Sequence, residues 1–456
     1  MLLNPQKITY AISVLPLILA LLAIQIPTLS FFFALAFLLF LCCASIFFIV
    51  THQALIDINE LSFNILDLTF LTMISTIIAI SLLFYKTKIA QQLNKKEQNK
   101  FYIIILLNIF SIIGIITTNN LLYLYAFIEI YSICFIAIVA LDNGKKAQDL
   151  NIYNYLFHSV TSVLLVFCLF FMYILFDDSS LGNSWYSLKF SSKNWLPSLL
   201  FALFTILIML KFMPMWQYFY KIKIKSPLLN IFLIDSIFIR SLIAIFLLIK
   251  LIYSIFSWQL FFENYWFSKI LLLIGSALSI YASFRIVSTN NLKLATIFLA
   301  MSTIGLIISS VNIYSLNNGN SFIFLLCILF VVNFILFLLA DLAKNGCCNN
   351  FIKLLLYLLI FQLLSIPASF YFFANWFMLL NSFAYNLSLI LIFVVAINNV
   401  AQIILAHRLF LLTKQKTINK IDNWQFSALG LAFLFSILLM LNINSINIIG
   451  DNILNF

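Results

Sequence analysis

Four charged side chains stand inside long apolar runs: Glu129 in LLYLYAFIEIYSICF, Lys211 in ILIMLKFMPMWQYF, and Asp235 with Arg240 in NIFLIDSIFIRSLIAIF. A charge near the centre of a bilayer is expensive, so each needs a partner, a file of water or a function. Acids and amines brought together there can hold and pass protons. A desolvated lysine gives up its proton more readily and binds it again when an acid approaches. Asp67 and His158 lie nearer the ends of their runs. An ion pair between helices accounts for any one of these residues, but as a set they point to ion transfer.

Three prolines strengthen that reading. Pro214 falls within the run that holds Lys211, Pro227 opens the next run after the basic linker KIKIKS, and Pro367 falls in LLSIPASFYFF. A proline removes a backbone hydrogen bond and frees a carbonyl, and interrupted helices in transporters line ion sites at mid-membrane. A simple kink is the plainer explanation. Against it, the runs holding Pro214 and Pro367 are the seventh and twelfth, five apart, as two homologous five-helix repeats require.

The elements that must position these residues follow from composition. The chain is 64% hydrophobic and 9% charged, with a mean hydropathy of +1.13 over 456 residues, outside the range of soluble globular chains. Apolar runs of about 20 residues cross a hydrocarbon core as helices, and runs so uniformly apolar exclude a barrel. We read an all-α polytopic membrane protein of fourteen spans, near 8–26, 30–50, 62–85, 101–117, 120–141, 152–176, 196–219, 228–256, 267–289, 293–315, 321–341, 352–373, 384–412 and 425–448. The first run has no small-residue cleavage site and is read as a retained span.

With the N-terminus outside, the inside loops carry eighteen of the 25 Lys and Arg, among them Lys86, Lys88, Lys95, Lys96 and Lys100. The outside segments carry four, Lys7, Lys189, Lys193 and Lys269, which gives both termini outside. The net charge of +11 is then a matter of topology and anionic lipid, not of nucleic acid. No nucleotide-binding signature and no Cys-x-x-Cys is present, so no cofactor and no metal is expected. The polar stretches 86–100, 177–195 and 413–424 are too short to fold as domains.

Four segments, in order, resemble the antiporter-like membrane subunits shared by respiratory NADH-quinone oxidoreductase (subunits L, M and N) and Mrp-type cation/proton antiporters (subunits A and D). LYAFIEIYSICFIAI is similar to the family's span-five segment, with Glu129 at its glutamate. PMWQYFYKIKIKSPLLNIFLIDSIFIRS resembles the broken span seven and the following helix, with Pro214 and Pro227 at the usual prolines and Arg240 at the usual lysine. NLKLATIFLAMSTIG and LLSIPASFYFFANWF resemble the segments entering span ten and within span twelve, the first with Asn291, Lys293 and Gly305 in register. The resemblance covers roughly residues 100–410.

It implies N-terminal spans in 1–100, a first inverted five-helix repeat in 101–260, a second in 261–413, and a basic loop with a last span in 414–456. Spans seven and twelve would be broken. It further implies proton or Na+ movement along buried lysines and glutamates. The setting would be a complex with other membrane subunits in a bacterial or mitochondrial inner membrane, with no redox centre of the chain's own.

The chain departs from the family pattern at several positions. The lysine of span seven corresponds to Met209, and Lys211 stands two residues on, rotated by about 200° in an ideal helix. The lysine of span eight is Arg240, which cannot release its proton. The lysines of spans eleven and twelve correspond to Asn333 and Asn375. An unpaired ammonium is too costly there, so Lys211 is expected near Glu129 despite its register. Three readings stay open: a transport subunit with a reduced relay of Glu129, Lys211, Asp235 and Arg240; a structural subunit that has lost its channel; and an unrelated fourteen-span secondary transporter. The oxidoreductase and antiporter branches also stay open.

The topology is testable by labelling from either side of the membrane in a background without reactive native cysteines. Ala90→Cys and Lys416→Cys should react only from the cytoplasmic side, and Gly182→Cys only from outside. Reaction of positions 90 and 182 from the same side would contradict the fourteen-span reading.

Overall fold

A computed structural model describes residues 5–50, 55–58, 61–63, 65–142, 144–176, 195–212, 227–255, 265–310, 325–344, 350–367, 369–384, 388–413 and 422–441. Hydrocarbon offers no partner for backbone polar groups, so the apolar runs close their hydrogen bonds internally. The resulting helices begin with α1 (Pro5–Gln25), α2 (Ser30–Val50), α3 (Ile65–Gln92), α4 (Lys95–Thr117), α5 (Leu121–Ala140), α6 (Lys145–Phe176) and α7 (Trp195–Phe212). Helix α8 (Pro227–Ile234) passes through a π-helical turn, Asp235–Ile239, into α9 (Arg240–Ile255). After α10 (Tyr265–Ser288) and α11 (Leu292–Ser310), a second π turn, Ile328–Asn333, leads into α12 (Phe334–Lys344). Helices α13 (Asn350–Leu363), α14 (Phe370–Ala384), α15 (Ser388–Thr413) and α16 (Asn423–Leu441) complete the set. A short antiparallel hairpin, β1 (Leu55–Ile58) and β2 (Leu61–Phe63), lies between α2 and α3.

Ten helices among the described residues are long and apolar enough to cross a membrane, and four shorter apolar helices accompany them. Their starts are marked by side chains that satisfy first-turn N–H groups. Asn120 accepts from the Leu122 N–H at 2.9 Å, and Asn94 forms a capping box with Glu97. Pro227 is the first residue of α8, where a missing N–H costs nothing. Pro214 lies outside the described residues.

Two compact units divide the chain, Met1–Glu263 and Asn264–Phe456. In the first, α3 and the α8–α9 helix are central: their membrane windows are 94% and 100% buried, against 28% for α6. The hydropathy of all three is high, so amphipathic periodicity could not have ranked them. Helix α6 turns Leu156, Val160, Phe167 and Phe171 outward, an apolar face suited to lipid or an apolar neighbour. Its inner face meets α5 and α7, and α9 packs on α7.

In the second unit α10 packs along α11 with backbones almost touching. A Cβ on Gly275 would sit 2.6 Å from the Gly305 carbonyl oxygen, and one on Gly305 2.7 Å from that of Gly275. Small residues allow such approach where dispersion and backbone contacts, not water exclusion, hold helices together. The helix α13 stops at Leu363, Ser365 takes φ 50°, and the chain turns through Pro367 before α14 begins. Buried Gln362 accepts from the Phe370 N–H at 2.8 Å and Ser369 from the Phe372 N–H at 3.1 Å, satisfying the donors the interruption exposes. Helix α14 runs to Ala384, well past the limit near 373 read from hydropathy.

The glycine contact sets a test. Gly305→Val should cost about 1–3 kcal/mol through overpacking, seen as a lower thermal midpoint of the purified assembly. Gly430→Ala, whose Cβ would meet nothing within 4 Å, should leave the midpoint unchanged. Equal effects of the two would show that the α10–α11 approach is not what the glycines serve.

Candidate functional site

Glu129 lies midway along α5 and Lys211 in the last turn of α7. Lys211 Nζ donates to Glu129 Oε1 in an ion pair, with the Lys211 side chain 1% and the Glu129 side chain 26% exposed. The α6 residue Ser162 completes the cluster. Its Oγ accepts from Lys211 Nζ at 2.7 Å and lies 3.0 Å from Glu129 Oε2 and 2.6 Å from the His158 carbonyl. A hydroxyl has one proton, so Ser162 serves the carboxylate or its own helix at any moment, not both. Met209, the position the resemblance assigns to a lysine, is a buried apolar residue of the same helix.

One turn before Ser162 on α6 is buried His158, whose Nε2 lies 2.9 Å from Arg240 Nη1. A guanidinium only donates, so Nε2 is the acceptor, and in the neutral ring the proton is on Nδ1. That Nδ1 has no hydrogen-bond partner among the described residues. Arg240 continues to Asp235, with Nε 3.8 Å from Asp235 Oδ2, and Tyr131 OH donates to the same oxygen at 3.0 Å. Its Cζ stands 3.2 Å from the Phe135 ring centre, a contact that steadies a desolvated cation.

The π turn makes the Asp235–Arg240 pair. Residues five apart on an α-helix point about 140° away from each other. With the Arg240 N–H bonded to the Asp235 carbonyl, the wider turn brings the two side chains to one face. On the other side of Asp235 is a cavity of about 20 Å³ bounded by Ser81, Asn108 and isoleucines including Ile78 and Ile234. Asn108 Oδ1 has no partner among the described residues. Three polar groups in a space of that size suit one water molecule.

The two clusters thus join through α6: Glu129, Lys211 and Ser162 on one side, His158, Arg240, Asp235 and Tyr131 on the other. In the sequence His158 stood out only as a titratable residue near the end of its apolar run. Ser162 carried no such signal, because serine and threonine hydroxyls in apolar helices usually bond back to their own backbone, as Thr161 does to His158 and Phe157, and Tyr131 stood among many aromatics of its apolar run. Lys250, also within a span, donates to the Ile116 carbonyl at 2.6 Å near the end of α4, where a cation complements the helix dipole.

The second unit is built differently. Asn333, last residue of its π turn, donates to Thr303 Oγ1 at 3.0 Å and accepts from Tyr371 OH at 3.0 Å. Asn375 donates to Asn399 Oδ1 at 2.9 Å. These groups are neutral. Three charged residues of the unit tie helix ends: Lys293 pairs with Asp341 at 2.7 Å between α11 and α12, and Arg408 binds the Ile286, Val287 and Thr289 carbonyls at the end of α10. Among the described residues no group of three His, Cys, Asp or Glu side chains converges as metal ligands.

No protein-family model and no curated protein matches the sequence. Solved structures do. A chain of the membrane-bound sulfane sulfur reductase, an archaeal respiratory membrane complex, superposes with a TM-score of 0.77 at 13% identity, covering 98% of each chain. A chain of the Mrp complex from Dietzia sp. DQ12-45-1b gives 0.77 at 12% identity over 98% of this chain and 97% of that one. A chain of respiratory complex I from Thermus thermophilus gives 0.72 at 14% identity over 98% of both. Likeness at this identity is likeness of fold, and it holds over nearly the whole length of each.

Proposed function

We propose that the chain is a membrane subunit of a multi-subunit respiratory or cation/proton antiporter complex, and that it passes protons through its first unit. The fold shared with such assemblies supports the first part. The observation that carries the second is the run of charged groups from Glu129 and Lys211 through Ser162 and His158 to Arg240 and Asp235. A subunit kept only for its interfaces has no need of it, since buried ion pairs add little to stability and are readily replaced by apolar residues. Protons fit better than Na+, because the ammonium and guanidinium groups repel a second cation.

In this reading the chain has fourteen spans with both termini outside. Two inverted repeats, near 101–260 and 261–413, bring the interrupted helices at Pro214 and Pro367 to corresponding places. The interruption between α13 and α14 supports this for the second repeat. That second repeat keeps the form of a channel without its charges. Asn333, Thr303 and Tyr371 satisfy one another directly, and an amide cannot store the charge a lysine would. The same neutrality favours the alternative of a structural subunit, so the two readings part on the first unit alone.

Proton flux into vesicles holding the whole complex, with assembly verified separately, decides between them. Glu129→Gln should reduce flux dependent on this subunit to background, because a neutral amide cannot hold the Lys211 charge. Asn333→Ala and Asn375→Ala should keep most of it. Intact flux in Glu129→Gln, with assembly lost on deletion of the chain, would establish the structural role instead.

A further inference from the structure

Arg240 stands where the resemblance places a lysine, yet it keeps its proton at any accessible pH. A guanidinium can still act by moving. In the structure Nη1 bonds His158 at 2.9 Å and the guanidinium lies against the Phe135 ring, while Nε and Nη2 have no hydrogen-bond partner among the described residues. Asp235 is near but not engaged, at 3.8 Å from Nε, and a bidentate guanidinium–carboxylate pair closes to below 3 Å or so. Among the described residues, buried Asp235 therefore accepts one direct hydrogen bond, from Tyr131. Its other neighbour is the small cavity with the Ser81 and Asn108 side chains.

We propose that Asp235 is a proton-binding site of the first unit, loaded through the small cavity beside it and controlled by Arg240 moving between two docks, His158 and Asp235. This rests on the transport reading above and assigns its carrier. With Arg240 on His158, the guanidinium stands 3.8 Å off and gives Asp235 no hydrogen bond, and the carboxylate takes a proton: a hydronium in the cavity loses one O–H bond, the carboxylate gains one, and water remains. With Arg240 closed on Asp235 the carboxylate is stabilised as an anion and the proton returns to water. Arg240 stays protonated throughout. His158 acts as an acceptor and is a positioning residue, because it keeps the guanidinium off the carboxylate without touching the transferred proton.

The charged and titratable groups around Asp235 are Tyr131 and Cys134 from α5, His158 from α6, and Arg240 on its own helix, with Lys211 and Glu129 beyond. Ser81 from α3 and Asn108 from α4 complete its surroundings. Loss of the Lys211–Glu129 pairing would change the charge facing His158 and Arg240, which gives the first cluster a way to set the position of the second.

Infrared spectroscopy of the intact complex, read together with flux in vesicles, tests the proposal. The wild type should show a protonated carboxylic acid band that Asp235→Asn removes along with the flux. His158→Phe, which leaves Asp235 in place but takes away the second dock, should also lose both the band and the flux. His158→Gln, which keeps an acceptor for Arg240, should restore both. A histidine needed only for packing would not link the band of Asp235 to an acceptor at position 158. Should Asp235→Asn fail to assemble, the His158 pair carries the test alone. A wild type without such a band, or a band indifferent to the acceptor at position 158, would overturn the proposal. So would intact flux in assembled Asp235→Asn while Glu129→Gln abolishes it, which would leave the transport reading standing. Intact flux in Glu129→Gln would instead remove the transport reading and this inference with it.

Discussion

Hydrocarbon cannot solvate charge, and the ion pair between Lys211 and Glu129 is the point at which the first unit meets that constraint most directly. The pair fixes three helices against each other, α5, α6 and α7, because Ser162 sits between ammonium and carboxylate. Once α6 is so placed, His158 is carried to Arg240, and the π turn carries Arg240 to the face of Asp235. Each step satisfies a group that the previous one left exposed. Among the described residues, four of the buried polar atoms left without a hydrogen-bond partner lie along this route: His158 Nδ1, two nitrogens of Arg240 and Asn108 Oδ1. Buried polar atoms without partners are costly, and those beside Asp235 and His158 are groups that water could satisfy.

The second unit meets the same constraint by giving up charge along its axis. Asn333, Thr303 and Tyr371 bond to one another, and Asn375 to Asn399. Its ions are kept at the helix ends, where Lys293–Asp341 and Arg408 hold neighbouring helices in register. The close backbone contact at Gly275 and Gly305 then supplies packing that needs no polar group at all. The first unit gathers its buried charges around Glu129 and Asp235, whereas the second keeps its buried ion pair, Lys293–Asp341, apart from the Asn333 cluster.

Much of this was legible in the sequence. The apolar runs place α2 at 30–50 and the π-interrupted α8–α9 helix at 227–255, close to the limits drawn from hydropathy, and the mid-span charges stand out against them. The resemblance to antiporter-like subunits also points to the fold found in complex I and Mrp structures. Other features had no sequence signal. Hydropathy does not separate a central helix from one facing outward, which left α3 and α6 alike. An ideal helix turns Lys211 about 200° from the position of Met209, yet its long side chain reaches Glu129. A π turn is invisible to periodicity over five residues, so the facing of Asp235 and Arg240 could be read only from coordinates. The end of α14 was misplaced because the run from Leu363 to Ala384 is apolar on both sides of the Pro367 turn.

The central claim is that the first unit carries a charged, watered route, whereas Asn333, Thr303 and Tyr371 of the second form a neutral set that satisfies itself. A density map of the intact complex, resolved well enough to show ordered water, addresses it most directly. The account predicts water in the cavity between Asp235, Asn108 and Ser81 and beside His158 Nδ1, with Asn333, Thr303 and Tyr371 in direct contact and dry. A continuous water file through the second unit, with the first unit dry, would contradict it.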